Sequence, residues 1–162
     1  MSLQDLTNEI PSDEYLNEFR THASAELDRG TVIMASAMVE QSLEHALRRS
    51  LTHLTAEEIS AWFDGPMAPF ATFDAKIKLG RALKGNGVYD GGVERKLDLI
   101  RRVRNAFAHR SMPLDLSHPA LSATYNELLS DLGEWPLERR EVFAGYCLAV
   151  TRTLRDIKAT AD

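Results

Sequence analysis

The segment Arg101-Arg102-Val103-Arg104-Asn105-Ala106-Phe107-Ala108-His109 concentrates the side chains best suited to chemistry. On a helical wheel of about 100° per residue, Val93, Leu97, Ile100, Val103 and Phe107 form one apolar stripe. Arg104 falls within about 40° of the stripe's centre. A core face excludes arginine, because an unpaired buried charge is expensive. Arg104 is therefore expected either to be paired inside the fold or to look into a cleft. Arg101 and Arg102 lie on the polar side and are expected to be solvated. Three arginines near a helix C-terminus also suit the negative end of the helix dipole.

His109 has two readings. It caps the C-terminus of its helix, where a cationic imidazole is favoured, or it shares a cleft with Arg104 and exchanges protons near neutral pH. Arginine plus histidine is a sensible minimum for metal-free RNA cleavage. The histidine moves the proton of a 2′-hydroxyl or of the leaving oxygen, and the arginine stabilises charge on the phosphoryl oxygens. Asn105 holds either group or the phosphate by hydrogen bonds. Glu40 borders the apolar stripe of an earlier helix and is a natural partner for an inward-pointing Arg104. A bidentate pair would satisfy both charges, either fixing helix register or orienting Arg104 towards a phosphate. Glu44 and Arg48, at i and i+4, read as a solvated surface pair.

Other chemistries are absent from the sequence. The five histidines, His22, His45, His53, His109 and His118, lack strong metal-ligand spacing, and no His-Glu-x-x-His motif occurs, so neither metal nor cofactor is expected. The Gly-x-Ser-x-Gly elbow and the Gly-x-x-x-x-Gly-Lys phosphate loop are missing too. The lone Cys147 sits in an apolar helical pattern and reads as a buried small hydrophobe.

These side chains must be positioned by helices. Strand-like alternation is absent for any useful length. Ser12-Asp13-Glu14 starts a helix with Tyr15, Leu16, Phe19 and Ala23 inward, and Gly30 marks a break or close contact. A second helix buries Val32, Ala35, Val39, Leu43, Ala46 and Leu47, and its alanines and serines suggest a central place. Thr55-Ala56-Glu57-Glu58 has the capping-box pattern. The apolar loop from Phe63 to Phe70 reads as a cap over the core, with a ligand lid as the alternative. Thr72 caps a helix with Ile77, Leu79, Ala82 and Leu83 inward. A long helix follows from about Val93 to about His109, then a short one through Leu132. The last helix has Pro136 in its first turn and buries Val142, Tyr146, Ala149, Val150, Thr153 and Ile157. The expectation is an all-α, single-domain bundle of about six to seven helices spanning residues 1–162.

Composition agrees with such a domain. Of 162 residues, 44% are hydrophobic and 27% charged, enough for one core. A net charge of −5 argues against a protein that coats nucleic acid, because such binding rests on excess Lys and Arg. No apolar run approaches the roughly 18 residues of a membrane helix. The first residues lack the basic start and apolar block of a signal peptide, so a cytoplasmic protein without membrane contact is expected.

Two resemblances follow from quoted segments. Arg104-Asn105-Ala106-Phe107-Ala108-His109 resembles the Arg-x-x-x-x-His motif of HEPN domains, small helical domains of which many are metal-independent endoribonucleases. A broader likeness runs over roughly residues 25 to 115. Asp28-Arg29-Gly30-Thr31-Val32-Ile33-Met34-Ala35-Ser36-Ala37-Met38-Val39-Glu40, Phe63-Asp64-Gly65-Pro66-Met67-Ala68-Pro69, Phe73-Asp74-Ala75-Lys76-Ile77 and Leu99 to His109 together resemble the mannitol operon repressor (MltR) family. That resemblance implies an all-helical fold, a regulatory association with sugar-alcohol uptake and no DNA-reading motif. The sequence has no helix-turn-helix with a basic recognition helix. A regulator of this kind would act through a protein partner or RNA. The HEPN likeness further implies a homodimer in which Arg104, Asn105 and His109 of two chains line one cleft. Three functions remain: a non-catalytic transcriptional regulator, a ribonuclease using Arg104 and His109, and a small-molecule sensor built on the Pro-rich loop.

Overall fold

The computed structural model describes residues 13–83, 89–109, 114–132 and 138–157. Among them are six α-helices and no strand: α1 (Asp13–Ser50), α2 (Ala56–Phe63), α3 (Phe73–Ala82), α4 (Gly91–Ala108), α5 (Ser122–Leu132) and α6 (Arg139–Asp156). A 3₁₀ turn, Pro119–Leu121, leads into α5. The chain is an all-α bundle, as its periodicity requires.

Helix α1 is the spine. Its 38 residues make a rod about 57 Å long. It packs against α6, α4 and α3. The six residues expected on its inner face, Val32, Ala35, Val39, Leu43, Ala46 and Leu47, are all buried. The expected break at Gly30 does not occur. One glycine costs a helix only about 1 kcal/mol, and buried Ala25 and Asp28 before it keep the same face as Val32 and Ala35 after it. Gly30 makes no close contact either; a Cβ there would meet nothing within 4 Å. Ser12, Tyr15, Leu16 and Phe19, assigned to the start of this helix, lie outside the described residues and side chains.

One apolar core draws residues from all six helices. Phe107, Phe143 and Tyr146 are its largest fully buried side chains, each worth about 1.5–3 kcal/mol of burial. On α6 the inner face is Val142, Phe143, Tyr146, Cys147, Val150, Thr151 and Leu154. Ala149 and Thr153, expected inside, are exposed, and the Thr153 hydroxyl donates to the Ala149 carbonyl instead. Ala82, also expected inside, is exposed. Pro136 lies outside the described residues.

Side chains at the ends lock the helices in register. Arg140 Nε–H donates to Asp28 Oδ1 at 2.7 Å, and Arg49 donates to the Leu154 carbonyl at 3.2 Å. These two ties make α1 and α6 run side by side in the same direction. Asp28, though only 7% exposed, is fully employed: its other oxygen accepts the Leu116 N–H at 2.9 Å. Arg139 donates to the Leu116 carbonyl at 2.9 Å and stacks 4.6 Å over the Tyr125 ring. Both backbone groups of Leu116 are thus satisfied by side chains, which lets an irregular segment bury Leu114 and Leu116.

The capping residues act as their types dictate. The Thr55 hydroxyl accepts the Glu58 N–H, and the Thr55 N–H donates to the Glu58 carboxylate at 2.8 Å. Thr72 caps α3 through the Ala75 N–H, and Asp90 caps α4 through the Val93 N–H. The loop after α2 closes on the core. Phe70 packs on Trp62 and Phe63, with ring centroids 5.5 and 5.9 Å away. Gly65 takes φ 92°, which only glycine adopts without strain.

Candidate functional site

Helix α4 presents the expected Arg104, Asn105 and His109 at its C-terminal end. Leu97, Ile100, Val103 and Phe107 are buried and fix the rotation of the helix about its axis. That rotation leaves Arg104 half-buried at the edge of the apolar stripe, Asn105 half-buried and His109 exposed. Arg104 Nη1–H donates to Asn105 Oδ1 at 3.4 Å, a long bond. The His109 N–H closes the helix on the Asn105 carbonyl at 3.2 Å, with backbone angles of −104° and 0°. Asn105 therefore touches both residues, one through its side chain and one through its backbone.

Arg104 and His109 are not joined directly. Five positions on a helix separate two side chains by about 140° round the axis. The guanidinium lies beside the core while the imidazole faces out, so one chain builds no closed cleft from this pair. Nor does Glu40 reach Arg104. Among the described residues, no carboxylate forms an ion pair with Arg104.

That isolation stands out against the neighbouring cations. Arg101 binds Asp98 at 2.6 Å and reaches Asp74 at 3.5 Å. Arg102 lies within 3.5 Å of Asp98 and 3.7 Å of Glu127. Arg95 pairs with Glu127 at 2.9 Å, and Arg81 of α3 with Glu94 at 2.6 Å. Arg101 and Arg102, expected to be merely solvated, instead help to tie α4 to its neighbours. The pairs 81–94 and 74–101 also show that α3 and α4 run antiparallel.

Glu40 belongs to a second polar centre that the sequence reading missed. Lys76, buried on α3, places its ammonium 2.8 Å from Glu40 and 3.0 Å from Glu44, with the Ala71 carbonyl at 3.5 Å. Its side chain is 7% exposed. Glu44 also binds Arg48 at 2.9 Å, and Arg48 in turn binds Asp64 and stacks 4.8 Å over Phe63. The Asp64 carboxylate accepts the Ser60 hydroxyl at 2.7 Å. A continuous chain of charges thus joins α1, α2 and α3. The Ser60 hydroxyl and the Arg48 guanidinium hold the Asp64 carboxyl below the usual carboxylate range. The Glu44–Arg48 pair is part of this network rather than an isolated surface pair.

The signal for Lys76 was in the sequence. Phe73, Lys76, Ile77 and Gly80 share one helical face, and all four are buried. A lysine at that spacing demands acids on the facing helix. Glu40 and Glu44, one turn apart, are those acids.

The described residues offer no group of three or more His, Cys, Asp or Glu able to hold a metal ion. No described helix is long and apolar enough to cross a membrane. Burial pushes the Cys147 thiol well above its ordinary value, so it is no nucleophile. Compared with protein families, curated proteins and solved structures, the chain has no match.

Proposed function

We propose that this chain is a non-catalytic regulatory module of the MltR kind, a transcriptional regulator that represses through a protein partner and does not read DNA itself. One observation carries the reading. The arginines that could have formed a phosphate-binding stripe on α4, namely Arg95, Arg101 and Arg102, are each engaged by carboxylates of the same chain. A nucleic-acid backbone gains affinity by exchanging counterions for free cations, and these cations already have anionic partners. The acidic net charge of −5 acts in the same direction. What remains for recognition is protein surface, including the exposed Met34 and Met67.

Transcript profiling tests this reading. In cells lacking the protein, a limited set of transcripts rises, and re-expression lowers it again. The wild-type chain and an Arg104→Ala/His109→Ala variant restore repression equally. An unchanged transcript profile would overturn the proposal, as would repression that needs both residues.

A second reading, a metal-independent endoribonuclease, is favoured by a single observation: Arg104 alone among the arginines of α4 has no carboxylate among the described residues. A half-buried guanidinium without an anion suits a phosphoryl group. His109 would take the proton of the 2′-hydroxyl as its oxygen attacks phosphorus. It would then return that proton to the departing 5′-oxygen, leaving a cyclic phosphate and a free 5′-hydroxyl. RNA incubated with the protein in EDTA decides the matter. Cleavage abolished by Arg104→Ala and by His109→Ala supports the nuclease; intact RNA removes it.

A further inference from the structure

Helix α6 runs from Val142 to Thr151, ten residues, without a charged side chain, in a chain that is 27% charged. A helix that is apolar all round is ordinarily buried all round. This one is not. Val142, Phe143, Tyr146, Cys147, Val150 and Thr151 face the core, while Gly145, Leu148 and Ala149 lie in water on the opposite side. Leu148 is 41% exposed, and a Cβ built on Gly145 would meet nothing within 4 Å. A face that only met solvent would carry charge, so this strip is suited to contact.

Towards the C-terminus the same face becomes basic. Arg152 and Arg155 follow Leu148 at helical spacing, and both are exposed. The arginines of α4 at 95, 101 and 102 have carboxylates within the chain. Arg152 and Arg155 have none among the described residues. Cations at a helix C-terminus commonly serve its last carbonyls. Here Arg49 of α1 already does so, donating to the Leu154 carbonyl at 3.2 Å and to the Arg155 carbonyl at 3.4 Å. Those bonds also hold a third guanidinium at this end of α6. The acids on the face do not cancel the three. Asp156 joins no ion pair among the described residues. Glu141 stands at the far end of the helix, where its carboxylate accepts the Glu138 N–H at 3.2 Å.

We propose that the outer face of α6 binds an acidic amphipathic helix of another protein. Its apolar side lies on Gly145, Leu148 and Ala149, and its carboxylates pair with Arg152, Arg155 and Arg49. The proposal names the surface and the partner chemistry for the regulatory reading, and rests on it. The charge pattern selects the occupant. A basic partner would meet like charge at the arginines. A nucleic acid is anionic along its whole length, so beyond this end it would run over a chain of net charge −5. It would also leave the apolar strip unused. A short helix with carboxylates at one end uses both parts of the face. The small side chains at 145 and 149 let its backbone come close.

Fluorescence anisotropy on the full chain is the test. The probe is a labelled synthetic helix of about 16 residues, with leucines along one side and glutamates gathered at one end. It should bind at about 50 mM salt and more weakly at about 500 mM. Arg152→Glu/Arg155→Glu should weaken binding by about tenfold or more. Arg20→Glu/Arg29→Glu makes the same change in net charge at exposed positions far along α1, and should alter binding by less than about twofold. Leu148→Asp should also weaken it, with helical circular dichroism as in wild type, since Leu148 is not part of the core. No binding, equal losses in the two double variants, or a labelled oligouridylate held as tightly as the peptide would each overturn the proposal. So would a free protein of twice the chain mass that Leu148→Asp reduces to single chains, because a second copy would then cover the face. Failure of the regulatory reading shows separately, as unchanged transcripts in cells lacking the protein. Transcripts repressed equally by wild type and by Arg152→Glu/Arg155→Glu would discard the face alone.

Discussion

Replacing Lys76 with methionine keeps most of the side-chain volume and removes the ammonium. Glu40 and Glu44 then face each other one turn apart with their shared cation gone. Breaking a fully buried ion pair from one side costs about 3–5 kcal/mol. Here the two carboxylates are 19% and 25% exposed, so water still reaches them, and Arg48 still holds Glu44. The expected loss is therefore smaller, about 1.5–3 kcal/mol. For a chain of this size that lowers the melting temperature by about 5–10 °C. Urea unfolding followed by circular dichroism measures it, with an unchanged slope showing that the unfolded state is the same. Much of the cost is the stranded carboxylate, so Glu40→Gln should destabilise far less when Lys76 is already methionine. The coupling between the two changes should reach about 1–2 kcal/mol. A loss below about 0.5 kcal/mol for Lys76→Met, or additive single and double variants, would show that the network is a solvated decoration rather than a joint between α1 and α3.

Three further outcomes follow from the packing. Gly80→Ala should cost about 1–3 kcal/mol in urea unfolding, because a Cβ there overlaps the buried Tyr89 ring, whose hydroxyl is fixed on the Ile77 carbonyl at 2.6 Å. Stability should fall on acidification. Asp64 and Glu58 have folded pKa values held down, by Ser60 and Arg48 and by the Thr55 N–H respectively. Their contribution is fully present above the ordinary carboxylate pKa and is lost as pH drops through the lower folded value. Urea midpoints at about pH 6 and about pH 3 should thus differ less in an Asp64→Asn/Glu58→Gln variant than in wild type. Cys147 is fully buried with its thiol pushed up, so a thiol reagent at about pH 8 should label it only after urea is added. Rapid labelling of the folded protein would show that α6 opens far more readily than its core position allows.

The fold was legible where local chemistry decides the outcome. Thr55 with Glu58, Thr72 and the 3.6-residue spacing of Val32 to Leu47 each act within one or two turns, so sequence alone exposes them. Errors arose where a choice depended on neighbours. Gly30 looked like punctuation, but the buried residues on both sides of it carry α1 straight through. On α6, Ala149 and Thr153 were plausible inner positions until Phe143, Cys147 and Leu154 claimed the core face. The candidate site divides in the same way. The wheel sets Arg104 on the apolar stripe, whereas the structure leaves it half-buried at the stripe's edge, and His109 takes the exposed helix-end place of its two readings. The partner of Glu40 does not, because periodicity shows which side of a helix an acid occupies but not which helix lies opposite. Lys76 stands there, and Arg104 does not.

Helix α1 draws these strands together because each of its sides does different physical work. Its inner side supplies Val32, Val39, Leu43 and Leu47 to the core. One flank offers Glu40 and Glu44 to Lys76, a polar joint that tolerates only one register between α1 and α3. Near its middle and its C-terminal end, Asp28 and Arg49 fasten α6 alongside. A rod held in this manner cannot rotate to hide its remaining side, so Leu27, Met34 and Met38 stay in water in the isolated chain. Turning them inward would withdraw Val32 and Val39 from the core and separate Glu40 from Lys76. The exposure of Leu27, Met34 and Met38 is therefore a consequence of how firmly the other sides are fixed.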